Sequence, residues 1–344
     1  TAGGSRGQSS SMPAFSSLPP RRWVLVLMAG AVGLQAACRA DEPDASALYR
    51  RLRAACIEVV VDGRLAGSGW LAAEPGYAFT ASHVVPRRQS AVAVRLGDGR
   101  RIAAAVRGRD AGHDALLLSL TDKRDLPAGL PLAAGLPRPG DEVFLFGAPI
   151  FRHGVLFPGR VAREGTTFEW IPDQREAVEC VHVVASTPKG VSGGPWVNRQ
   201  GEVVGVQSGL IEQGSGPAGI GWFGPASALV PMLASKRDDP TPTLGVAFEE
   251  LDEQEVDAIR GFPAGASGVV VKLIAKGGPA EAAKLPACCL VVALDGEHPT
   301  TRDAAYRLVR SRPVGRKIVV RYLVAGKAAE RSAQVVVGGW REEP

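Results

Sequence analysis

A hydroxyl and an imidazole are where chemistry could start in this chain. The stretch Lys189-Gly190-Val191-Ser192-Gly193-Gly194-Pro195-Trp196 sets a serine among glycines, closes the turn with proline, and runs on through an apolar stretch to Val206. Glycine permits backbone conformations that a Cβ forbids, so such a turn can bring the N–H groups of Gly190 and Ser192 together beside a serine oxygen as an oxyanion hole. With 42 glycines among 344 residues the string alone says little. A serine nucleophile needs a base, and the base needs an acid to orient it. The histidines are His83, His113, His153, His182 and His298. His83 stands where the apolar stretch Ala78-Phe79-Thr80-Ala81 meets a polar turn, and Asp114 opens the apolar run Ala115-Leu116-Leu117-Leu118. His113 is the rival base by adjacency to Asp114 but lacks the strand-end setting, and reads as a solvent-exposed loop residue. The other three histidines lie in no motif and read as structural.

The elements that must carry these groups are short apolar stretches broken by glycine turns: Cys56 to Val61, Gly69 to Ala73, Ala91 to Leu96, Arg101 to Val106, Ala115 to Leu120 and Glu142 to Phe146. Asp62-Gly63 and Asp98-Gly99 are hairpin signals, and strands this short predict a closed antiparallel barrel. A second set runs from His153 to Val230. Two barrels, one bearing His83 and Asp114 and the other Ser192, place the reactive groups in the cleft between them. Residues 38–54 are charged and helix-compatible, with Asp44 or Ser46 as the cap. Ser235-Lys236-Arg237-Asp238-Asp239-Pro240-Thr241-Pro242 is a polar linker. Beyond it, strands are expected near Leu244 to Phe248, Gly268 to Ile274, Leu290 to Leu294, Lys317 to Val324 and Ala333 to Val337, with helices at Pro279 to Leu285 and Arg302 to Arg310.

The words Thr80-Ala81-Ser82-His83-Val84-Val85, Asp114-Ala115-Leu116-Leu117 and Gly190-Val191-Ser192-Gly193-Gly194-Pro195 come in the order His, Asp, Ser. Gly67-Ser68-Gly69-Trp70 stands before them and Gly219-Ile220-Gly221-Trp222 after. Together they resemble the chymotrypsin-like double-barrel serine proteases, and more closely the HtrA branch, over roughly residues 55 to 235. Thr243-Leu244-Gly245-Val246, Gly268-Val269-Val270-Val271, Gly278-Pro279-Ala280-Glu281 and Ala293-Leu294-Asp295-Gly296 resemble a PDZ domain in its permuted bacterial form. The resemblance implies a mainly β fold, a chymotrypsin-like double β-barrel followed by a small α+β PDZ domain. The boundaries are a leader over 1–40, a protease domain over 41–235, a linker over 236–242 and a PDZ domain over 243–340. It implies a serine endopeptidase acting on unfolded or regulatory envelope proteins, with Ser192 as nucleophile, His83 as base and Asp114 as its orienting acid. In this family the region around Tyr49 often contributes to a homotrimer.

Ser186, six residues before the nucleophile, is expected at the base of the substrate pocket, with Gln207, Ser208, Gly209 and Gly221 as walls. Without a carboxylate at that base, cleavage after small or medium apolar residues is expected. Backbone N–H groups around Leu244, Gly245 and Val246 are expected to capture a peptide C-terminus, the peptide adding a strand to the sheet. Val191 stands where the HtrA branch has Asn and Lys189 where it often has Pro, so the oxyanion turn is expected to be mobile at rest. Cys288-Cys289 replaces the usual Gly-Asp. A peptide-binding or chaperone module without activity is the alternative from another class.

Met12 is the expected start. Arg21-Arg22 and the apolar stretch Trp23 to Leu34 read as an export signal, shorter than the roughly 20 residues a membrane span needs. Cleavage after Ala36 or Ala37, and lipidation of Cys38, are both compatible with it; either places the mature chain in the periplasm or cell envelope. The five cysteines fit no metal spacing, and no cofactor is called for. Cys56 with Cys180 is the pair that could bridge, against a reading as buried free thiols. A net charge of +5 with interspersed signs gives no support for nucleic-acid binding.

Overall fold

Asp62 and Gly63 both take positive φ, 49° and 81°, which is the two-residue turn whose twist matches antiparallel strands, and Val61 pairs with Arg64 across it. That hairpin opens the first barrel. The computed structural model describes residues 45–171, 176–213 and 216–340, and residues from Ala45 onward cluster as one unit. The leader and Cys38 lie outside the described residues. Helix α1 (Ala45–Ala55) buries Leu48, Leu52 and Ala55 at the three- and four-residue spacing of one helical face. Strands β1 (Cys56–Val61), β2 (Arg64–Leu71), β3 (Tyr77–Ala81), β4 (Val92–Arg95), β5 (Arg101–Asp110) and β6 (Ala115–Leu120) close a barrel in the order β1-β2-β3-β6-β5-β4. Trp70, Phe79, Leu116, Leu117 and Leu118 are fully buried in or beside it, each contributing about 1.5–3 kcal/mol by removal from water.

The second barrel comprises β7 (Glu142–Gly147), β8 (Val155–Val161), β9 (Thr167–Ile171), β10 (Glu176–Val184), β11 (Pro195–Val197), β12 (Val203–Gln213) and β13 (Gly216–Pro225). Their order is β13-β12-β11-β7-β8-β10-β9, with β13 also pairing β10. Val143, Leu145, Val183, Trp196 and Phe223 fill it. Helix α2 (Leu229–Ser235) then ends on Lys236, whose φ of 56° is left-handed.

The linker does not hang free. Asp239 donates its N–H to Arg109 O, Asp238 accepts from Arg109 N–H, and Thr241 is buried. Strand β14 (Pro242–Thr243) pairs with β20 (Gly338–Gly339), pinning start and end of the C-terminal unit together. That unit is one sheet, β15 (Val246–Glu250), β16 (Val269–Ile274), β17 (Leu290–Leu294), β18 (Lys317–Leu323) and β19 (Arg331–Val336), in sequence order. Its helices are α3 (Val256–Arg260), α4 (Pro279–Ala282) and α5 (Arg302–Arg310). Helix α4 is shorter than the sequence pattern predicts, because Lys284 turns left-handed at φ 56°. Cys288 takes a left-handed φ of 58° as well, a conformation glycine adopts without strain. The fold is mainly β: a double barrel followed by a small α+β unit.

Candidate active site

Strand β3 delivers His83. After Ala81 the chain tightens into a 3₁₀ turn over Ser82–Val84. Behind that turn lies Arg109, almost fully buried, whose guanidinium donates to Ser82 O (2.9 Å), Ser82 Oγ (2.7 Å) and Val85 O (2.7 Å). Both ends of the His83 turn therefore hang on one planar fork, a geometry only arginine offers. Strand β5 runs into a second 3₁₀ turn, Ala111–His113, and Asp114 caps it in the left-handed region with φ 50°. Ser82 N–H donates to Asp114 O (3.0 Å), joining the two turns.

Asp114 is fully buried and well supplied with donors. Oδ1 accepts His83 N–H at 3.0 Å, and Oδ2 lies 2.7 Å from His83 Nδ1 and accepts Ser208 Oγ–H at 2.6 Å. Burial raises its carboxyl, but the charge and hydrogen bond of His83, with Ser208, outweigh that and hold it below the usual range. Nδ1–H directed at this carboxylate fixes the tautomer that leaves proton transfer to Nε2. Ser208 reaches Asp114 because β12 bulges there: Gln207 pairs with Phe223 and Gly209 with Trp222, so Ser208 has no partner of its own in the ladder. The sequence reading placed Ser208 in the pocket wall. It does line the cavity, and its hydroxyl is committed to the carboxylate.

The Ser192 turn is docked on the same strand end. A Cβ on Gly193 (φ 80°) would collide with Thr80 Oγ1 and Ser68 O and come within 2.7 Å of Ala81 N, so glycine is what lets the turn sit against β3. Four successive carbonyls are tied: Lys189 O by Ile150 N–H (2.9 Å), Gly190 O by Ser68 Oγ (2.9 Å), Val191 O by Gly194 N–H (2.9 Å) and Ser192 O by Ser68 N–H (2.8 Å). In a planar trans peptide the N–H points opposite the carbonyl, so these bonds fix the directions of the Gly190 and Ser192 amides. Val191, expected to loosen the turn, is 1% exposed and packs into the second barrel core. Burial anchors the turn where a polar side chain would have used hydrogen bonds.

Beside the turn is a cavity of about 310 Å³ lined by Thr187, Lys189, Gly190, Ser192, Gln207 and Ser208, among others. Ser186, expected at its base, is exposed and does not line it; its neighbour Thr187 is fully buried and does. Thr187 Oγ1 is buried and has no hydrogen-bond partner among the described residues. Gln207 accepts from Trp196 Nε1 (2.7 Å) and donates to Gly209 O (3.0 Å), stiffening one wall. Gly221 lies against Thr187, where a Cβ would come within 3.0 Å of its hydroxyl.

The remaining histidines all have partners. His153 lies beside Glu58 and Arg95, His182 beside Glu169, and His298 beside Val292 O. His113 is not the exposed loop residue expected from sequence. Its Nδ1 is 2.7 Å from Asp110 and its Nε2 is 3.6 Å from Glu179 on β10. Half-buried Tyr49 donates to Gly154 O (2.9 Å) and stacks edge-on with Phe146.

In the C-terminal unit the sheet ends at β15, the edge to which a strand could be added. Here Tyr306 of α5 occupies it, its hydroxyl accepting Phe248 N–H (2.9 Å) and lying 3.4 Å from Val246 O. Gly245 N–H is donated to Thr243 Oγ1 (2.9 Å), and Leu244 O accepts Ala280 N–H. Phe168 of β9 stacks on Tyr306 at 5.1 Å, while Thr167 Oγ1 and Phe168 N–H donate to Asp303. Strand β9 thus packs against α5 at Tyr306 and Asp303. Nothing local announces this contact, since Phe168 meets Tyr306 across more than a hundred residues.

Residues 67–206 match the profile of the trypsin-like peptidase domain. The chain is 31% identical over 254 residues to a probable periplasmic serine endoprotease, DegP-like, of Rhizobium meliloti (strain 1021), covering 73% of this chain and 49% of that protein. It is 29% identical over 273 residues to the periplasmic serine endoprotease DegP of Salmonella typhimurium, covering 76% of this chain and 55% of that one. The chain thus spans about half the length of the curated relatives it matches. Among solved structures, the HtrA-type protease AlgW with a decapeptide superposes with a TM-score of 0.61 at 20% identity, over 86% of this chain and 98% of that one. The serine endoprotease of Yersinia pestis gives 0.56 at 23% identity, over 85% and 96%. Over residues 67–206 the chain carries a trypsin-like peptidase domain, and as a whole it is similar in sequence to the DegP-like serine endoproteases and shares the fold of the HtrA-type proteases.

Proposed function

We propose that this chain is a serine endopeptidase in which Ser192, His83 and Asp114 form the catalytic triad. The observation that carries the reading is the 2.7 Å contact of His83 Nδ1 with a buried Asp114, on the strand end against which the Ser192 turn is packed. Ser192 Oγ attacks the peptide carbonyl carbon while His83 Nε2 takes its proton. The new C–O bond leaves a tetrahedral oxyanion facing the Gly190 and Ser192 amides, a term of about 3–4 kcal/mol per donor. Collapse breaks the C–N bond, His83 returns the proton to the leaving amine, and water repeats the sequence to free the acyl group. Asp114 keeps the imidazole oriented and offsets its charge.

The substrate pocket is the cavity based on Thr187, which suits small or medium side chains. We read residues 243–340 as a PDZ domain recognising peptide C-termini through the Leu244-Gly245-Val246 segment, after Tyr306 and Thr243 release β15. The relatives named periplasmic support the same compartment for this chain, with unfolded or regulatory envelope proteins as substrates. The test is casein digestion and fluorophosphonate labelling of the chain beside Ser192→Ala. Both activities should be present in the parent and vanish together in the variant. If neither occurs in the parent, with C-terminal peptides added, the chain is a binding module.

A further inference from the structure

A second histidine, one residue from the catalytic aspartate, is built into a joint that the proposed reaction does not use. The Ala111–His113 turn is held at both ends by acids: Asp110 Oδ1 accepts His113 N–H at its start, and Asp114 caps its end, donating N–H to Ala111 O. The His113 ring folds back onto Asp110 Oδ2 and reaches forward to Glu179, so it joins the first barrel to β10 of the second. The same few residues meet the linker, where Gly112 N–H donates to Thr241 Oγ1 at 2.8 Å. His113 O is packed so closely against β13 that a Cβ on Gly224 would overlap it. The turn that leads into Asp114 therefore carries a ring set between two carboxylates.

We propose that His113 is a positioning residue for Asp114: as an imidazolium it draws Asp110 and Glu179 together and thereby fixes the turn that presents the catalytic carboxylate to His83. This rests on the triad reading above. Burial disfavours the charged ring, but Asp110 first and then Glu179 outweigh it and push its pKa up to about 9, while Glu179 is held down at about 2. The charged and titratable groups around the ring are Asp110 on its own side, Glu179 from β10, Asp239 from the linker, and Arg307 of α5 acting on Glu179. Arg310 of the same helix lies beside Gly112. Neutralising the ring leaves Asp110 and Glu179 facing each other uncompensated, and the turn relaxes by moving Asp114.

The test compares parent, His113→Gln, His113→Lys and Glu179→Gln by fluorophosphonate labelling rate at Ser192 and by kcat and KM on one short peptide, from pH 6 to 10. The expected result for His113→Gln is a fall in labelling rate and kcat of about tenfold to a hundredfold, the loss associated with small misplacements of catalytic groups, with KM within twofold. His113→Lys, which keeps the cation, recovers most of that loss. The parent loses activity as pH rises through about 9; His113→Gln has no such limb, and Glu179→Gln shifts it to lower pH. Equal labelling of parent and His113→Gln across the range overturns the proposal alone. So does a Glu179→Gln profile that coincides with the parent's, which serves if His113→Gln does not fold. A parent that does not label at all overturns the triad reading with it.

Discussion

Two histidine–aspartate pairs lie within thirty-one residues of one another, each at 2.7 Å, and they are built for opposite ends. In the first, the carboxylate of Asp114 is wholly buried with three donors while the ring of His83 is about a third exposed. In the second, the ring of His113 is set between two carboxylates from different barrels. An imidazole held by one acid can gain and lose a proton at its far nitrogen during a reaction. An imidazole between two acids holds its proton and acts as a fixed cation. On the proposed reading, the second carboxylate at His113 is what would make that ring a brace where His83 is a base.

The sharpest way to break the contrast is to remove each ring. His83→Ala is expected to lower kcat by about 10⁴- to 10⁶-fold, the scale of triad removal, far beyond the effect at His113; equal losses at the two positions would erase the distinction. Ser208→Ala comes next. It deletes a donor to Asp114 Oδ2, raises that carboxyl, and should move the acid limb of activity upward with about a tenfold loss of kcat; a pH profile unchanged from the parent would show that two donors suffice. The brace also makes a prediction for stability. Folding raises the His113 pKa from 6.5 to about 9, so the stabilisation is complete below 6.5, declines as pH rises through 9, and amounts to at most about 3 kcal/mol. Thermal unfolding of the parent should fall toward a pH-insensitive His113→Gln over that interval.

Smaller effects are expected elsewhere. Thr187→Val replaces a buried hydroxyl that has no partner among the described residues, and should raise kcat/KM for an apolar residue at the cleavage site by a few-fold, about 1 kcal/mol; profiling against a peptide library reads this out. Tyr306→Phe leaves the ring in place but frees Phe248 N–H on β15, and C-terminal peptides should bind about fivefold tighter by fluorescence anisotropy.

Much of this was legible in the sequence because local rules decided it. Asp62-Gly63 dictated a hairpin, α5 spans Arg302–Arg310 as expected, and the apolar run after Asp114 became a buried strand. The approach of His83 to Asp114 followed from strand ends meeting in one barrel. Residues whose roles depend on the other side of the molecule were not legible. Arg109 looks like any basic residue in a strand until its guanidinium is seen behind the His83 turn. His113 reads as a loop residue until β10 supplies Glu179. Ser186 was taken for Thr187 because counting back from Ser192 gives a position without its burial, and the burial of Val191 in the second barrel core does not show in its residue type.

The cysteines add a consequence of a different kind. Cys56 sits on β1 of the first barrel, Cys180 on β10 of the second, and Cys289 beside β17 in the C-terminal unit; all three are free and buried, and burial raises each thiol, Cys289 to about 12. Cys288 is free and exposed. Since the thiolate is what reacts, alkylation at Cys288 proceeds at once while each buried thiol waits for its own part of the chain to open. Each module carries its own clock, and mass spectrometry after a timed pulse of reagent would read the order in which the three come apart.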